Sequence, residues 1–169
     1  GLEKLLIIPT GQAWHRSGTL SDAAHRLAMA KLAFADVAGT VVDDREIRRD
    51  GPTYTIDTLL ELRREEPDAQ WYLLMGADQA DALPSWHRWQ EVAQNAIISI
   101  AGRAQSTGTR ARFLQDLEAS GRIRAIDMPP MDVSATEIRR RAGLGQGIAP
   151  LVPPAIAGYI ANYHLYQNA

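Results

Sequence analysis

Ser134-Ala135-Thr136-Glu137-Ile138-Arg139-Arg140-Arg141 places hydroxyls and guanidinium groups beside a helix-start signal. Serine with glutamate three residues on has the spacing of a capping box, in which Ser134 accepts from the Glu137 amide and Glu137 reaches back. Free amides, the helix dipole and arginines of the first turns all favour an anion such as phosphate. A plain cap on a solvated basic helix satisfies the same pattern. Gly76-Ala77-Asp78 follows an apolar run. There a glycine admits a ligand to the backbone, and a carboxylate can accept from a ribose or an adenine. The alternative is that Asp78 caps the next helical turn.

Pro84-Ser85-Trp86-His87-Arg88-Trp89 gathers aromatic and basic groups around an expected helix start. Such a group can stack a positively charged pyridinium ring, with Trp86 the better candidate, and can receive a carboxylate on free amides. Equally, the tryptophans can cover the edge of a core. Thr53-Tyr54-Thr55 offers hydroxyls and helix-start amides, or only a cap after the Gly51-Pro52 turn. His15-Arg16 and Arg103 each follow a strand, where a cation can reach phosphate or stay solvated.

The elements that must position these groups are written in the hydrophobic pattern. Continuous apolar runs at Lys4 to Pro9, Trp71 to Met75 and Ala96 to Ala101 read as buried strands, with shorter strands at Gly39 to Asp43 and Arg122 to Asp127. Helical spacing covers Ser21 to Asp36 (capped by Ser21 or Asp22), Thr53 to Glu66, Trp86 to Ala93, Thr109 to Glu118, Ser134 to Ala142 and Pro154 to Tyr163. Strands alternating with helices imply a doubly wound α/β fold built on a parallel sheet and closed by C-terminal helices. In such folds ligands collect at the carboxyl ends of strands, here after Pro9, Met75 and Ala101. No internal repeat, low-complexity tract or linker divides the 169 residues, so a single domain is expected.

Composition narrows the chemistry. A formal charge of −2 gives no global basic field for a nucleic-acid polymer, and the lack of cysteine removes thiolate nucleophiles, disulfides and thiolate zinc sites. No apolar run nears the roughly 20 residues that span a bilayer, so a cytoplasmic protein without membrane contact is expected. Phosphate-loop, serine-hydrolase and zincin signatures are absent. Gly143-x-Gly145-x-Gly147 follows a helix rather than a strand and reads as a loop.

In order, Ile7-Ile8-Pro9-Thr10-Gly11 with His15-Arg16, His25-Arg26-Leu27-Ala28-Met29, Gly51-Pro52-Thr53-Tyr54-Thr55-Ile56-Asp57-Thr58-Leu59, Gly76-Ala77-Asp78, Leu83-Pro84-Ser85-Trp86 and Val133-Ser134-Ala135-Thr136-Glu137-Ile138-Arg139 resemble the bacterial nicotinate-nucleotide adenylyltransferases. The closing stretch from Leu151 to Tyr166 is similar too, so the resemblance spans essentially the whole chain. It implies a Rossmann-like nucleotidyltransferase that converts ATP and nicotinate mononucleotide, with magnesium (Mg2+), into deamido-NAD and pyrophosphate in NAD biosynthesis. It further implies that Thr53, Tyr54, Thr55 and Trp86 hold the nicotinate and that Gly76 and Asp78 face the adenosine. Ser134, Thr136 and Arg139 would bind phosphates, with His15 and Arg103 on the same side. Magnesium would be held mainly by phosphates, with no protein metal site. His87 stands where relatives often have another aromatic residue.

One departure concerns the family's Gly-x-Phe-Asp-Pro-x-His-x-Gly-His motif between its first strand and helix. None of His15, His25, His87 or His164 has that setting, so no catalytic residue of the motif is present. The expectation is an N-terminally incomplete domain that lacks the family's first strand and helix and makes little product by itself. Alternatives are a non-catalytic nucleotide-binding module, or a phosphopantetheine or nicotinamide-mononucleotide adenylyltransferase of the same superfamily. Oligomeric state, a homo-oligomer included, stays open.

Overall fold

The computed structural model describes residues 2–11, 22–102, 112–129 and 133–167. They form two compact units, residues 1–53 with 132–169, and residues 54–131.

In the first unit β1 (Leu5–Ile7) runs parallel to β2 (Thr40–Val42), with Leu5 opposite Thr40 and Ile7 opposite Val42. A parallel pair needs a crossover, and α1 (Ala23–Phe34) lies in it. Of the two expected caps the structure selects Asp22, whose carboxylate accepts from the Ala24 amide at 3.0 Å. A short helix, α2 (Arg45–Arg48), was not expected from the pattern. It follows Asp43 and Asp44, which pair with Arg45 and Arg48 at 2.7 and 2.8 Å. The C-terminal part supplies α7 (Ala135–Gly143) and α8 (Pro154–Asn162). Ala142, Ile148, Ile156 and Ile160 form their buried core, against which Met29 and Ala33 of α1 pack. At Gly143 an added Cβ would lie 2.6 Å from the Tyr166 carbonyl oxygen, so glycine there admits a close backbone crossing.

The second unit follows the order α3 (Thr55–Glu65), β3 (Tyr72–Gly76), α4 (Ala77–Ala82), a 3-10 turn (Leu83–Ser85), α5 (Trp89–Asn95), β4 (Ile97–Ala101), α6 (Arg112–Ala119) and β5 (Ile123–Ile126). Its sheet has the order β3-β4-β5, all parallel. The central β4 buries Ile98, Ser99 and Ile100, as its apolar run implies, whereas β3 at the edge buries Met75 and exposes Tyr72 and Leu74. Ile56, Leu83, Val92 and Ile98 are the largest fully buried side chains.

Besides α2, three details differ from expectation. The described strands form two parallel sheets, of two and three strands, instead of one. Residues Ala77–Ala82 are helical although their small and acidic side chains bury only Ala80. The helix expected from Trp86 begins at Trp89, because Arg88 adopts a left-handed backbone (φ 52, ψ 42) that helical geometry excludes. Among the described residues no helix is long and apolar enough to cross a membrane.

Candidate functional site

The carboxyl end of β3 is Gly76, which is also the N-cap residue of α4. Its φ of −77 is open to any residue, and an added Cβ would meet nothing within 4 Å. The glycine therefore fronts open space. Asp78 is exposed in the first turn of α4. A carboxylate in that turn sits well with the helix dipole and is placed to accept hydrogen bonds.

In the same unit Tyr54 is the N-cap residue of α3, and its carbonyl accepts from the Asp57 amide at 3.1 Å. Its side chain makes no cap; the ring instead faces His87, with centroids 4.3 Å apart and planes tilted by 36°. Trp86 closes the 3-10 turn through its amide to the Leu83 carbonyl (2.9 Å), and its half-buried side chain packs on the core cluster against which Tyr54 also packs. Trp86 thus has both a packing surface and an open one. Arg88 donates to both Glu91 carboxylate oxygens, at 2.7 and 2.6 Å. This hydrogen bonding raises the Arg88 pKa and lowers that of Glu91.

In the first unit the chain leaves β1 through Pro9, Thr10 and Gly11. Arg26 of α1 donates to the Thr10 and Gly11 carbonyls, the latter at 3.2 Å. An added Cβ at Gly11 would collide with the Glu46 carbonyl and lie 3.1 Å from the Thr53 methyl. Thr53 is only 5% exposed. His25, beside Arg26, has its Nδ1 3.0 Å from the Tyr159 hydroxyl and its ring near Tyr163. Partial desolvation, then Tyr163, push the Tyr159 phenol above its ordinary 10.

At the head of α7 the Ser134 hydroxyl accepts from the Glu137 amide at 3.1 Å. The reciprocal half of the capping box is not what Glu137 does: its carboxylate accepts from Arg140 (2.8 and 2.9 Å) and Arg141 (2.7 Å). Charge-assisted bonds to two guanidinium groups outweigh one to a neutral amide. They hold the Glu137 carboxyl down to about 2, with Arg140 the larger cause. Arg140 and Arg141 are thereby engaged along the helix. Arg139 reaches only the Thr136 hydroxyl among the described residues, at 3.4 Å, and both are exposed. Ser134, Thr136 and Arg139 therefore share an accessible helix start. His15 and Arg103 lie outside the described residues. Among those described no group of three or more histidines and carboxylates is placed to hold a metal ion.

The family model described as Cytidylyltransferase-like matches residues 1–141, and so runs through residues of both units. A relative from Albidiferax ferrireducens that bears the name nicotinate-nucleotide adenylyltransferase is 51% identical over 168 residues, covering 99% of this chain and 85% of its own length. One of the same name from Methylibium petroleiphilum is 43% identical over 169 residues, covering 98% and 79%. The chain belongs to the nicotinate-nucleotide adenylyltransferase family.

Solved structures agree on the fold. The Plasmodium falciparum nicotinic acid mononucleotide adenylyltransferase complexed with APC matches with a TM-score of 0.75 at 16% identity, over 99% of this chain and 84% of that one. The same enzyme complexed with NaAD matches with a TM-score of 0.73 at 15% identity, with the same coverage. The α/β Rossmann-like fold expected for an adenylyltransferase of this family is thus the observed one. Two features of the site were not read from sequence: the stacking of His87 on Tyr54, and the Arg88–Glu91 pair that follows it. The R-x-x-E spacing at 88 and 91 was a visible signal of a pair, although Arg88 reaches Glu91 from the left-handed N-cap position and not from within the helix.

Proposed function

We propose that the chain transfers the adenylyl group of ATP to nicotinate mononucleotide, giving deamido-NAD and pyrophosphate in NAD biosynthesis in the cytoplasm. The observation that carries this reading is the 51% identity to a nicotinate-nucleotide adenylyltransferase over nearly the whole chain. The placement of Gly76 at a strand end, of Asp78 and Tyr54 at helix starts and of Trp86 at the close of the 3-10 turn fits it.

In this reading Tyr54, Thr55 and Trp86 hold the nicotinate ring and carboxylate, with Thr53 anchoring the loop before them. Asp78 accepts from the adenosine, whose approach Gly76 leaves open. Ser134, Thr136 and Arg139 bind the ATP phosphates, and His15 and Arg103 extend that side. A phosphate oxygen of the mononucleotide attacks the α-phosphorus of ATP. As the new P–O bond forms, the bond to the bridging oxygen breaks and its electron pair leaves with pyrophosphate. The nucleophile is already an anion, so alignment and stabilisation of charge on the leaving group are what the protein must supply. Arg139 and the amides at the head of α7 serve that second need. The exposed donors at this helix start are hydroxyl and guanidinium groups, which suit phosphate oxygens and not a metal ion. Magnesium would then be held through the phosphates of the nucleotide that these residues would bind. So bound, magnesium neutralises part of the triphosphate charge.

The test is a substrate panel on the full-length gene product: ATP and magnesium with nicotinate mononucleotide, nicotinamide mononucleotide or phosphopantetheine. Pyrophosphate release should be fastest with nicotinate mononucleotide. Preference for either of the others would replace this reading, and binding without turnover would make the protein a nucleotide-binding module.

A further inference from the structure

Arg88 occupies the left-handed region (φ 52), which side chains with a Cβ enter at a cost and keep only when their surroundings hold them there. Glycine would sit there freely, yet the position carries an arginine whose guanidinium is committed on two sides. Nε and Nη2 donate to the two oxygens of Glu91, in the first turn of α5. Nη1 lies 3.7 Å from Oδ1 of Asp57, in the first turn of α3. One side chain therefore ties the reversed turn to two helices. Immediately before it stand Trp86, anchored through the Leu83 carbonyl, and His87, stacked on Tyr54. The segment between these anchors is where the proposed pyridine contacts sit.

We propose that the Arg88–Glu91 clamp, tied to Asp57, is a positioning device that holds the Trp86–His87 segment against Tyr54 and so sets affinity for the pyridine nucleotide without affecting ATP. This rests on the reading of Tyr54 and Trp86 as the nicotinate end. Arg88 acts through its neighbours and not as a ligand of the substrate. Glu91 is the informative position, because changing it releases the clamp while leaving the left-handed residue in place.

The full-length protein is compared with Glu91→Gln and Arg88→Gly, the second removing the clamp together with the backbone cost. Calorimetric titration with nicotinate mononucleotide and, separately, with ATP is paired with amide hydrogen exchange on the ligand-free proteins. Both variants should weaken nicotinate mononucleotide about tenfold while ATP stays within about twofold. Exchange at residues 86–89 should quicken with Ile98–Ile100 unchanged. Arg88→Lys, which keeps the charge but loses the fork, should recover part of the affinity. Unchanged exchange at 86–89 would overturn the proposal, as would equal weakening of both nucleotides. Tighter mononucleotide binding by Glu91→Gln would also overturn it, by making Arg88 a direct ligand that Glu91 restrains. If the unaltered protein takes up no nicotinate mononucleotide, the functional reading fails, and the exchange pattern alone then decides whether the clamp positions the segment.

Discussion

The Tyr54 ring lies 4.3 Å from that of His87, so the residue that opens α3 is in stacking contact with the residue that follows Trp86. Two loops distant in sequence are joined by this pair into one aromatic surface.

Tyr54→Ala should therefore raise the KM for nicotinate mononucleotide about tenfold, while Tyr54→Phe, which keeps the ring, should stay near the unaltered value. Steady-state kinetics at saturating ATP checks both. Equal effects of the two changes would assign the role to the hydroxyl.

Arg139 is the arginine of its run without a carboxylate partner among the described residues, whereas Arg140 and Arg141 share Glu137. Arg139→Ala should weaken ATP about tenfold and Arg140→Ala by less than about threefold. Titration with a non-hydrolysable ATP analogue separates them, and the reverse ranking would remove Arg139 from the phosphate site.

Gly11 packs its α-carbon against the Glu46 backbone, where a methyl group has no room. Gly11→Ala should cost about 1–3 kcal/mol of stability, as overpacking against backbone typically does. Urea unfolding measures it. Gly76→Ala, with open space before its α-carbon, should leave stability nearly unchanged.

Glu137 titrates at about 2 instead of its ordinary 4.5 because Arg140 and Arg141 hydrogen-bond its ionised form. A lowered carboxyl pKa contributes stability above the ordinary value, and that contribution is lost as pH falls from about 4.5 through about 2. The pairs are exposed, so the effect should be small and should weaken with salt. Carboxyl titration by NMR should return the low value in the unaltered protein, and an ordinary one once Arg140 and Arg141 are both replaced by alanine.

Much of this arrangement was legible in the residues. The apolar run from Ala96 to Ala101 becomes the buried central strand β4, and Ser134 caps α7 as its spacing to Glu137 implies. Elsewhere the pattern was silent for physical reasons. Residues 43–50 are almost all charged, so no apolar period announces α2, whose local support includes ion pairs of Asp43 and Asp44 with arginines. Ala77–Ala82 carries no large apolar side chain, yet Ala80 is fully buried in the core. Helical spacing continued back to Trp86, but a backbone reversal at Arg88 leaves no mark in hydrophobicity and moves the helix start to Trp89. Likewise Glu137 had an amide and two guanidinium groups within reach, and only the geometry shows which it chose.

The most direct measurement is product identification by mass spectrometry after the full-length protein is mixed with ATP, magnesium and nicotinate mononucleotide. Deamido-NAD and pyrophosphate should accumulate in equal amounts, and substitution at Tyr54 or Arg139 should lower the rate. A folded protein that binds neither nucleotide, or one that forms an adenylylated product only from a different acceptor, would contradict the assignment.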